Sequence, residues 1–297
     1  MPTVNVKFYL CLLMALSAAG CGWSPMEGWS GNAIWSDDDT AALAVYEFYE
    51  GRNTVTHTKK RNMESEVHLF PNVAAAGDSR LVLPRARGWA GPLYLMQSRG
   101  YAIVHRQERL PDLDDGMNRT ANFTAHKITL NGAVTALGER RALRMISCDP
   151  EGQSAVTTGD VLTFIPSPDG RLLAKLETNA TCAGKTGQLT FLDADTLEVL
   201  DGPIDLPPVE DVNMLMNRGW SEGGRFRIAQ TGFLGPQGDS YAPGTAPEPT
   251  GEIDYGCYFP ESNSSSVNAR GETLDVSEEG ALQVREARGG EAVFGCP

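Results

Sequence analysis

Residues Val161–Leu206, VLTFIPSPDG RLLAKLETNA TCAGKTGQLT FLDADTLEVL DGPIDL, alternate short apolar runs with turn-forming residues. Each apolar run has about five residues, the usual length of a β-strand. Asp169 and Gly170 are typical of a hairpin turn, because glycine accommodates the positive φ that such turns require. Asp193–Thr196 marks a second reversal, and Ala183–Gly187 a looser connection. The stretch therefore predicts four short antiparallel strands.

The same turn chemistry recurs along the chain, as repeat proteins require. An apolar or aromatic residue precedes a polar turn and an apolar strand follows it, as in Ile34–Val45 and Trp220–Ile228. The turns lie near positions 39, 79, 132, 170, 223 and 280, at intervals of about 38 to 57 residues. Besides Asp169 and Gly170, the turn residues are Asp38, Asp39, Asp78, Ser79, Asn131, Gly132, Gly223, Gly224, Glu279 and Gly280.

Ser167-Pro168-Asp169-Gly170 before a small apolar strand resembles one blade of WD40-like and TolB-type β-propellers. In such repeats of about 40–50 residues, each small sheet buries its faces by stacking on its neighbours around an axis. The resemblance implies an all-β propeller of about six antiparallel sheets, with five to seven compatible with the spacing. A β-sandwich with an additional β domain is the alternative, because it also uses many short strands.

The first 20 residues have the layout of an export signal. Lys7 supplies positive charge, and the apolar Phe8–Ala15 is too short for a transmembrane helix, which needs about 20 apolar residues. Leu16–Cys21 resembles the lipobox of bacterial lipoproteins, which implies cleavage before Cys21 and lipidation of its thiol. Ordinary cleavage that leaves a free cysteine is the alternative. Gly22, rather than an aspartate, resembles lipoproteins sorted to an outer membrane.

The cysteine content agrees with export. Six cysteines are present and one lies in the signal segment, so lipidation of Cys21 leaves four thiols for an oxidising compartment. Three pairings are possible, and we favour Cys148–Cys182 with Cys257–Cys296, each closing a loop of roughly 35–40 residues. Four unpaired, buried thiols are the alternative.

The amino-acid composition limits the kinds of partner that the protein can bind. The formal net charge of −13 disfavours nucleic acid and broad anionic surfaces, because like charges repel. The 32 glycines and 18 prolines favour β structure over long helices. We expect a monomer with a tether at 21–33, a β-propeller domain at 34–297, and a loop insertion at 235–251 that holds no strand.

No pattern of metal-ligating or catalytic residues is present in the sequence. The four histidines, at 57, 68, 105 and 126, lack the spacing of a zinc motif, and we expect them to be structural. Asp112–Gly116 places its glycine one position early for an EF-hand loop. The sequence motifs therefore predict no metal, no cofactor and no catalytic residue.

Two features leave function open. Ser167-Pro168-Asp169-Gly170 also resembles the Asp-box of sialidase propellers, which would imply glycosidase activity at the mouth of the channel. Arg52, Lys59, Lys60 and Arg61 form a basic island on a predicted hairpin, either as a solvated tip or as a contact for an anionic partner. We expect a membrane-anchored binding or scaffold protein of the cell envelope, with a protein, peptide or glycan as partner. A propeller-type hydrolase is the alternative.

Overall fold

The computed structural model describes the parts of the chain that form its small sheets. The described residues are 24–29, 33–53, 58–75, 79–110, 119–147, 155–157, 162–181, 184–209, 215–221, 223–231, 237–249, 268, 270–276 and 281–286. Within them, twenty strands and two 3-10 turns, Val73–Ala75 and Gln97–Arg99, make up the regular structure. No helix in this part of the chain is long and apolar enough to cross a membrane.

Sheet A contains β1 (Ser24–Trp29), β2 (Ile34–Trp35), β3 (Ala42–Asn53), β4 (Thr58–Phe70) and β5 (Arg80–Arg87). Both β1 and β2 pair with β3, so they share one edge of the sheet and act as a single interrupted strand. This departs from the expected tether at 21–33, since the chain is already hydrogen-bonded into the sheet at its 24th residue. The sequence of β1 shows no alternation, and its conformation comes from pairing with an available edge.

Sheet B contains β6 (Trp89–Met96), β7 (Tyr101–Arg109), β8 (Arg119–Thr129), β9 (Val134–Ser147) and β10 (Ala155–Thr157). The strands pair antiparallel in chain order, and β10 covers only the last residues of β9. Sheet B is therefore a meander, in which each strand pairs with the one before it.

Sheet C, the stretch that predicts the fold, contains β11 (Leu162–Pro166), β12 (Leu172–Thr181), β13 (Gly184–Asp193) and β14 (Val199–Val209). All five residues of β11 are buried, whereas β14 is mostly exposed. A strand that is buried on both faces lies inside the molecule. The first strand of the sheet is therefore the inner one, and the fourth is the outer edge. The four predicted strands are confirmed.

Sheets D and E follow sheet C in the order of the chain. Sheet D contains β15 (Leu215–Trp220), β16 (Phe226–Thr231), β17 (Gln237–Tyr241) and β18 (Glu248–Pro249). The expected loop at 235–251 therefore includes two strands, because backbone pairing with β16 holds a segment that lacks strand-forming side chains. Sheet E contains β19 and β20, Glu272–Val276 and Leu282–Glu286.

Sheets A to D pack face to face in chain order. One apolar cluster joins sheets A and B, through residues such as Leu43, Val67 and Val104. A second joins sheets B, C and D, and its largest buried members are Tyr101, Phe164, Phe191, Trp220 and Phe226. Burial of these faces is the main stabilising contribution, at roughly 25 cal/mol per Å² of apolar surface.

The last sheet packs on the first. Leu274, Val276 and Leu282 of sheet E contact a cluster that includes Trp35 and Phe70 of sheet A. This closure across more than 200 residues makes a ring of meanders, which is a β-propeller. The predicted all-β propeller is confirmed, and each of the described strands pairs within the sheet formed by its neighbours in sequence, which argues against the sandwich alternative.

The recurrent turns have a shared hydrogen-bond pattern. Ser36 Oγ donates to Asp38 and accepts from the Ala41 N–H, and Ser167 Oγ donates to Asp169 and accepts from the Leu172 N–H. Burial works against ionisation, but the hydrogen bonds hold the pKa of both aspartates below the ordinary value. Gly170, with φ of 65°, occupies the left-handed region in the second turn.

The predicted turns connect different pairs of strands within their sheets. Asp38 and Asp39, Asp169 and Gly170, and Gly223 and Gly224 all lie between the first and second strands of sheets A, C and D. Ser79 precedes the fourth strand of sheet A, and Asn131 and Gly132 precede that of sheet B. Asp78, Glu279 and Gly280 lie outside the described residues.

In the described part of the chain the six turn landmarks fall within five sheets, because the turns near 39 and 79 belong to the same sheet and the turn near 280 lies between β19 and β20. The first hairpin of sheet B, at Gln97–Gly100, was not among the predicted turns, since it uses a 3-10 turn with Gly100 in the left-handed region. The equivalent turn of sheet E begins at Asn268, whose side-chain oxygen accepts from the N–H groups of Arg270 and Glu272.

Candidate functional site

A polar cleft lies between the outer parts of sheets B and C. Its volume is about 330 Å³, at the lower end of the range for small-ligand sites. The lining residues come from β9, β12, β13 and β14: Arg140, Glu177, Asn179, Thr186, Gly187, Gln188, Asp205, Leu206 and Pro208.

Strand register builds the polar wall of the cleft. Glu177 is opposite Gln188 in the β12–β13 pair, and Gln188 is opposite Asp205 in the β13–β14 pair. Asn179 is opposite Thr186, one step along the same face. Because side chains alternate between the faces of a strand, these five polar residues share the face that looks towards sheet B.

The opposite wall is supplied by β9 of sheet B. The Arg140 guanidinium lies 3.8 Å from a Glu177 carboxylate oxygen and connects the two walls. Gly138, two residues earlier, allows close approach to sheet C, since a side chain there would meet Leu162 at 3.3 Å and Phe164 at 3.7 Å. The cleft is thus closed on its inner side by apolar contacts and open on its outer side.

The charges that line the cleft are largely matched. Lys175 Nζ lies 2.7 Å from Glu177, and Gln188 Nε2 donates to Asp205 at 2.9 Å. Arg140 and Glu177 are each about one third exposed, with side-chain values of 32% and 29%. The cleft therefore offers amide, hydroxyl, carboxylate and guanidinium groups without a strong net charge, which suits a polar ligand rich in hydrogen-bonding groups.

His105 has a structural role next to the inner side of the cleft. Its Nδ1 lies 2.9 Å from the Pro92 carbonyl, and its Nε2 lies 2.8 Å from the Phe164 N–H. A carbonyl can only accept and an N–H can only donate, so the ring carries its proton on Nδ1 and is neutral. His105 therefore joins the backbones of sheets B and C.

The remaining histidines and acidic residues do not form a cluster of metal-ligating side chains within the described residues. His68 contacts Glu66 at 2.8 Å, and burial, followed by the charge of Arg106, lowers the pKa of His126. No group of three or more histidine, cysteine, aspartate or glutamate side chains in the described residues could hold a metal ion. His57, Asp112–Gly116 and all the cysteines lie outside those residues.

The basic island lies where β3 ends and β4 begins. Lys60 Nζ is 2.7 Å from Glu47 and 4.3 Å from the centre of the Tyr49 ring, and Arg61 is 2.6 Å from Glu50. Two of the four cations are therefore paired with acids of β3. Arg52 and Lys59 are direct partners in the backbone register, closer to the tip than either acid.

Sequence reasoning missed the cleft because none of its side chains belongs to a motif. A signal is nevertheless present: polar residues alternate in β12, as Lys175, Glu177 and Asn179, and in β13, as Thr186 and Gln188. In strands that are otherwise buried, a polar stripe on one face indicates that this face meets solvent or a ligand.

Comparison with known proteins gives no family. No protein-family model matches the chain, and no curated protein matches it. Among solved structures, TolB from Acinetobacter baumannii is similar with 10% identity and a TM-score of 0.33, over 74% of this chain and 52% of TolB. The chain thus spans about half the length of that protein.

A second similar structure is Zg3597, a family 117 glycoside hydrolase produced by the marine bacterium Zobellia galactanivorans. It shares 11% identity with a TM-score of 0.38, over 89% of this chain and 88% of the hydrolase. Both scores are low, so the assignment of the fold rests on the order and packing of the sheets.

Proposed function

We propose that the chain is an exported, lipid-anchored binding protein of the cell envelope, and that the cleft between sheets B and C is its ligand site. The observation that carries the proposal is the array of Glu177, Asn179, Thr186, Gln188 and Asp205 on one open face. Paired donors and acceptors with balanced charge are complementary to a polyhydroxylated ligand, so the proposed partner is a neutral glycan segment rather than an anionic polymer.

The location rests on the sequence. Lys7, the apolar segment Phe8–Ala15 and the cysteine at position 21 together support export and lipidation at Cys21, with Gly22 favouring an outer membrane. Mass spectrometry of the N-terminal peptide from membranes tests this directly. An acylated Cys21, absent from a Cys21→Ala variant, is expected, and an unmodified cysteine after cleavage would contradict the proposal.

Ligand binding can be tested with defined probes. Titration calorimetry with soluble peptidoglycan fragments and neutral oligosaccharides should detect binding that weakens about tenfold for Asn179→Ala and for Thr186→Ala, since each loses one hydrogen bond of roughly 1–1.5 kcal/mol. The matched control is Asn122→Ala, an amide bonded to Glu139 at 2.8 Å on the other face of sheet B. Equal weakening by the control, or no effect of either cleft variant, would overturn the assignment of the site.

A hydrolase is the second candidate, because two carboxylates flank the cleft. Glu177 and Asp205 share one face of sheet C with β13 between them, and most glycosidases use a pair of carboxylates that flank the scissile bond. Glu177 contacts Lys175 and Arg140, and Asp205 accepts from Gln188, so these contacts occupy oxygens that a catalytic pair would present to substrate. Release of product from oligosaccharides, abolished by Glu177→Gln or by Asp205→Asn, would favour the hydrolase over the binding protein.

A further inference from the structure

The charges of the polar cleft balance overall, but they are unevenly distributed along it. On the side next to sheet B, the Glu177 carboxylate lies 2.7 Å from Lys175 Nζ and 3.8 Å from the Arg140 guanidinium. Two cations therefore share one acid, which leaves one positive charge at this end. Asp205 supplies the compensating negative charge on β14, with β13 between it and Glu177. The cleft thus has a cationic end and an anionic end.

The excess positive charge belongs to Arg140. Lys175 forms the close ion pair with Glu177, whereas the 3.8 Å between Arg140 and Glu177 is longer than a hydrogen bond. In the described part of the chain the guanidinium has no other acidic partner. Its planar fork of five N–H donors matches a carboxylate through two parallel hydrogen bonds. Arg140 can therefore bind a ligand anion without giving up a hydrogen bond to Glu177.

Sheet B holds the Arg140 side chain at the wall of the cleft. In the β8–β9 register Arg140 is opposite Phe123, so both side chains leave the sheet on the same face. Phe123 is 4% exposed and belongs to the apolar cluster that joins sheets B, C and D, whereas the Arg140 side chain is 32% exposed. A long basic side chain beside a buried residue keeps its apolar stem on the protein and its charged head accessible.

One excess cation fits a ligand with one negative charge. A carboxylate carries a single charge, whereas a phosphate monoester carries about 1.5–2 at neutral pH, and Asp205 would repel the additional charge. Hydroxyl groups of the same ligand can donate to Asp205 at the other end of the cleft. The distribution of charge therefore favours a sugar acid and determines the direction in which it lies.

We propose that the glycan carries one carboxylate next to its neutral segment, as a uronic acid does, and that Arg140 binds this carboxylate. Asp205 accepts from hydroxyl groups at the opposite end, and the neutral segment contacts Asn179 and Thr186 between them. The inference rests on the glycan site proposed above and narrows its ligand. Arg140 is then the residue that determines specificity within the cleft.

Titration calorimetry with cellobiose and cellobiouronic acid tests the inference, because these disaccharides differ only in one hydroxymethyl group that is a carboxylate in the acid. The protein should bind cellobiouronic acid about tenfold more tightly, the effect of one charge-assisted pair. Arg140→Gln should reduce this preference to about onefold and leave the affinity for cellobiose unchanged, since only the carboxylate needs the guanidinium. The matched control is Arg141→Gln, which removes the same charge from an exposed side chain on the opposite face of β9 and should keep the preference.

The outcomes separate this inference from the proposed function. Equal affinity for the two disaccharides would overturn the inference and leave the glycan site, whereas binding of neither would overturn glycan binding itself. A preference that persists in Arg140→Gln, or that Arg141→Gln abolishes equally, would also contradict the role of Arg140. Tighter binding of cellobiose 6′-phosphate than of cellobiouronic acid would overturn the assignment to a carboxylate.

Ionic strength gives an independent measurement of the charge. Because the Arg140 side chain is partly exposed, raising the NaCl concentration from about 0.05 M to about 0.5 M should weaken the preference for the acid. The affinity for cellobiose should stay constant over the same range. A preference that does not change with salt would contradict recognition by a guanidinium, and circular dichroism checks that each variant is folded.

Discussion

The interface between sheets A and B differs from the interface between sheets B and C. The A–B interface is filled by aliphatic residues such as Val67 and Val104, and Arg106, only 8% exposed, crosses it to donate to the carbonyls of Ser65 and Pro84. The B–C interface is packed as tightly near Phe164, but its outer part is the polar cleft.

The difference shows how facing side chains can open a cleft between two sheets without changing the fold. Both interfaces use the same meander and the same face-to-face packing. Where the facing residues are aliphatic the sheets close, and a buried polar group is tolerated only because carbonyls satisfy it. Where the facing residues are Glu177 and Arg140, both side chains stay about one third exposed and the outer edge of the interface is open.

The largest expected effect is at the closed part of the B–C interface. Phe164→Ala should lower the free energy of unfolding by about 3–5 kcal/mol, because Phe164 is 1% exposed and the cavity cannot be filled by its neighbours. Urea denaturation measures the change. Arg140→Gln, in the open part, should cost under about 0.5 kcal/mol. Similar losses for both variants would show that the outer part is also packed.

A disulfide between Cys148 and Cys182 would tie the open part of the same interface. Cys148 directly follows β9 and Cys182 directly follows β12, the strands that carry Arg140 and Glu177 across the cleft. Closing a loop of about 35 residues contributes roughly 3–4 kcal/mol, so reduction should lower the stability by that amount. Peptide mapping without reduction identifies the linkage, and a Cys148–Cys257 peptide would contradict it.

Arg106→Ala should destabilise the A–B interface by about 2–3 kcal/mol, because the buried Ser65 carbonyl and the partly buried Pro84 carbonyl lose their donor. Arg106→Lys should recover only part of this, since an ammonium cannot reproduce the planar guanidinium fork. Thermal and urea unfolding measure both variants. A stable Arg106→Ala protein would mean that water replaces the guanidinium.

Tyr101→Phe should cost about 1–1.5 kcal/mol. The Tyr101 hydroxyl, which burial keeps protonated by raising its pKa, donates to the Gly170 carbonyl at 2.9 Å and so joins sheet B to the repeat turn of sheet C. The phenylalanine variant keeps the packing and removes only the hydrogen bond. Unfolding at neutral pH tests it, and an unchanged midpoint would exclude a contribution from this bond.

The smallest expected effect is a dependence on pH at the A–B interface. Burial and the charge of Arg106 lower the pKa of His126, so below the ordinary value of 6.5 the unfolded chain binds a proton that the folded chain does not. Stability should therefore fall as pH decreases from 6.5, and less so in His126→Gln. Unfolding measured at pH 7.5 and pH 5.5 tests this, and identical pH slopes would contradict it.

Much of the fold could be predicted from the sequence, because its repeat turns are local. The bonds of Ser167 and Asp169 join residues two to five positions apart, so short stretches encode them. The equivalence of turns could not be predicted in the same way. The turns near 39 and 79 look alike, yet they occupy different positions in one sheet because strand pairing, not turn chemistry, determines the order.

The sequence by itself determined the four strands of sheet C, the turn chemistry, the acidic charge and the expected export signal, because all of these depend on the identity of neighbouring residues. Only the tertiary structure decided that the turns near 39 and 79 share one sheet, that β1 pairs beside the basic island, and that Arg140 and Glu177 face each other in a cleft. These features join residues far apart in the chain. They are selected by edge hydrogen bonds and face-to-face packing, which local sequence does not specify.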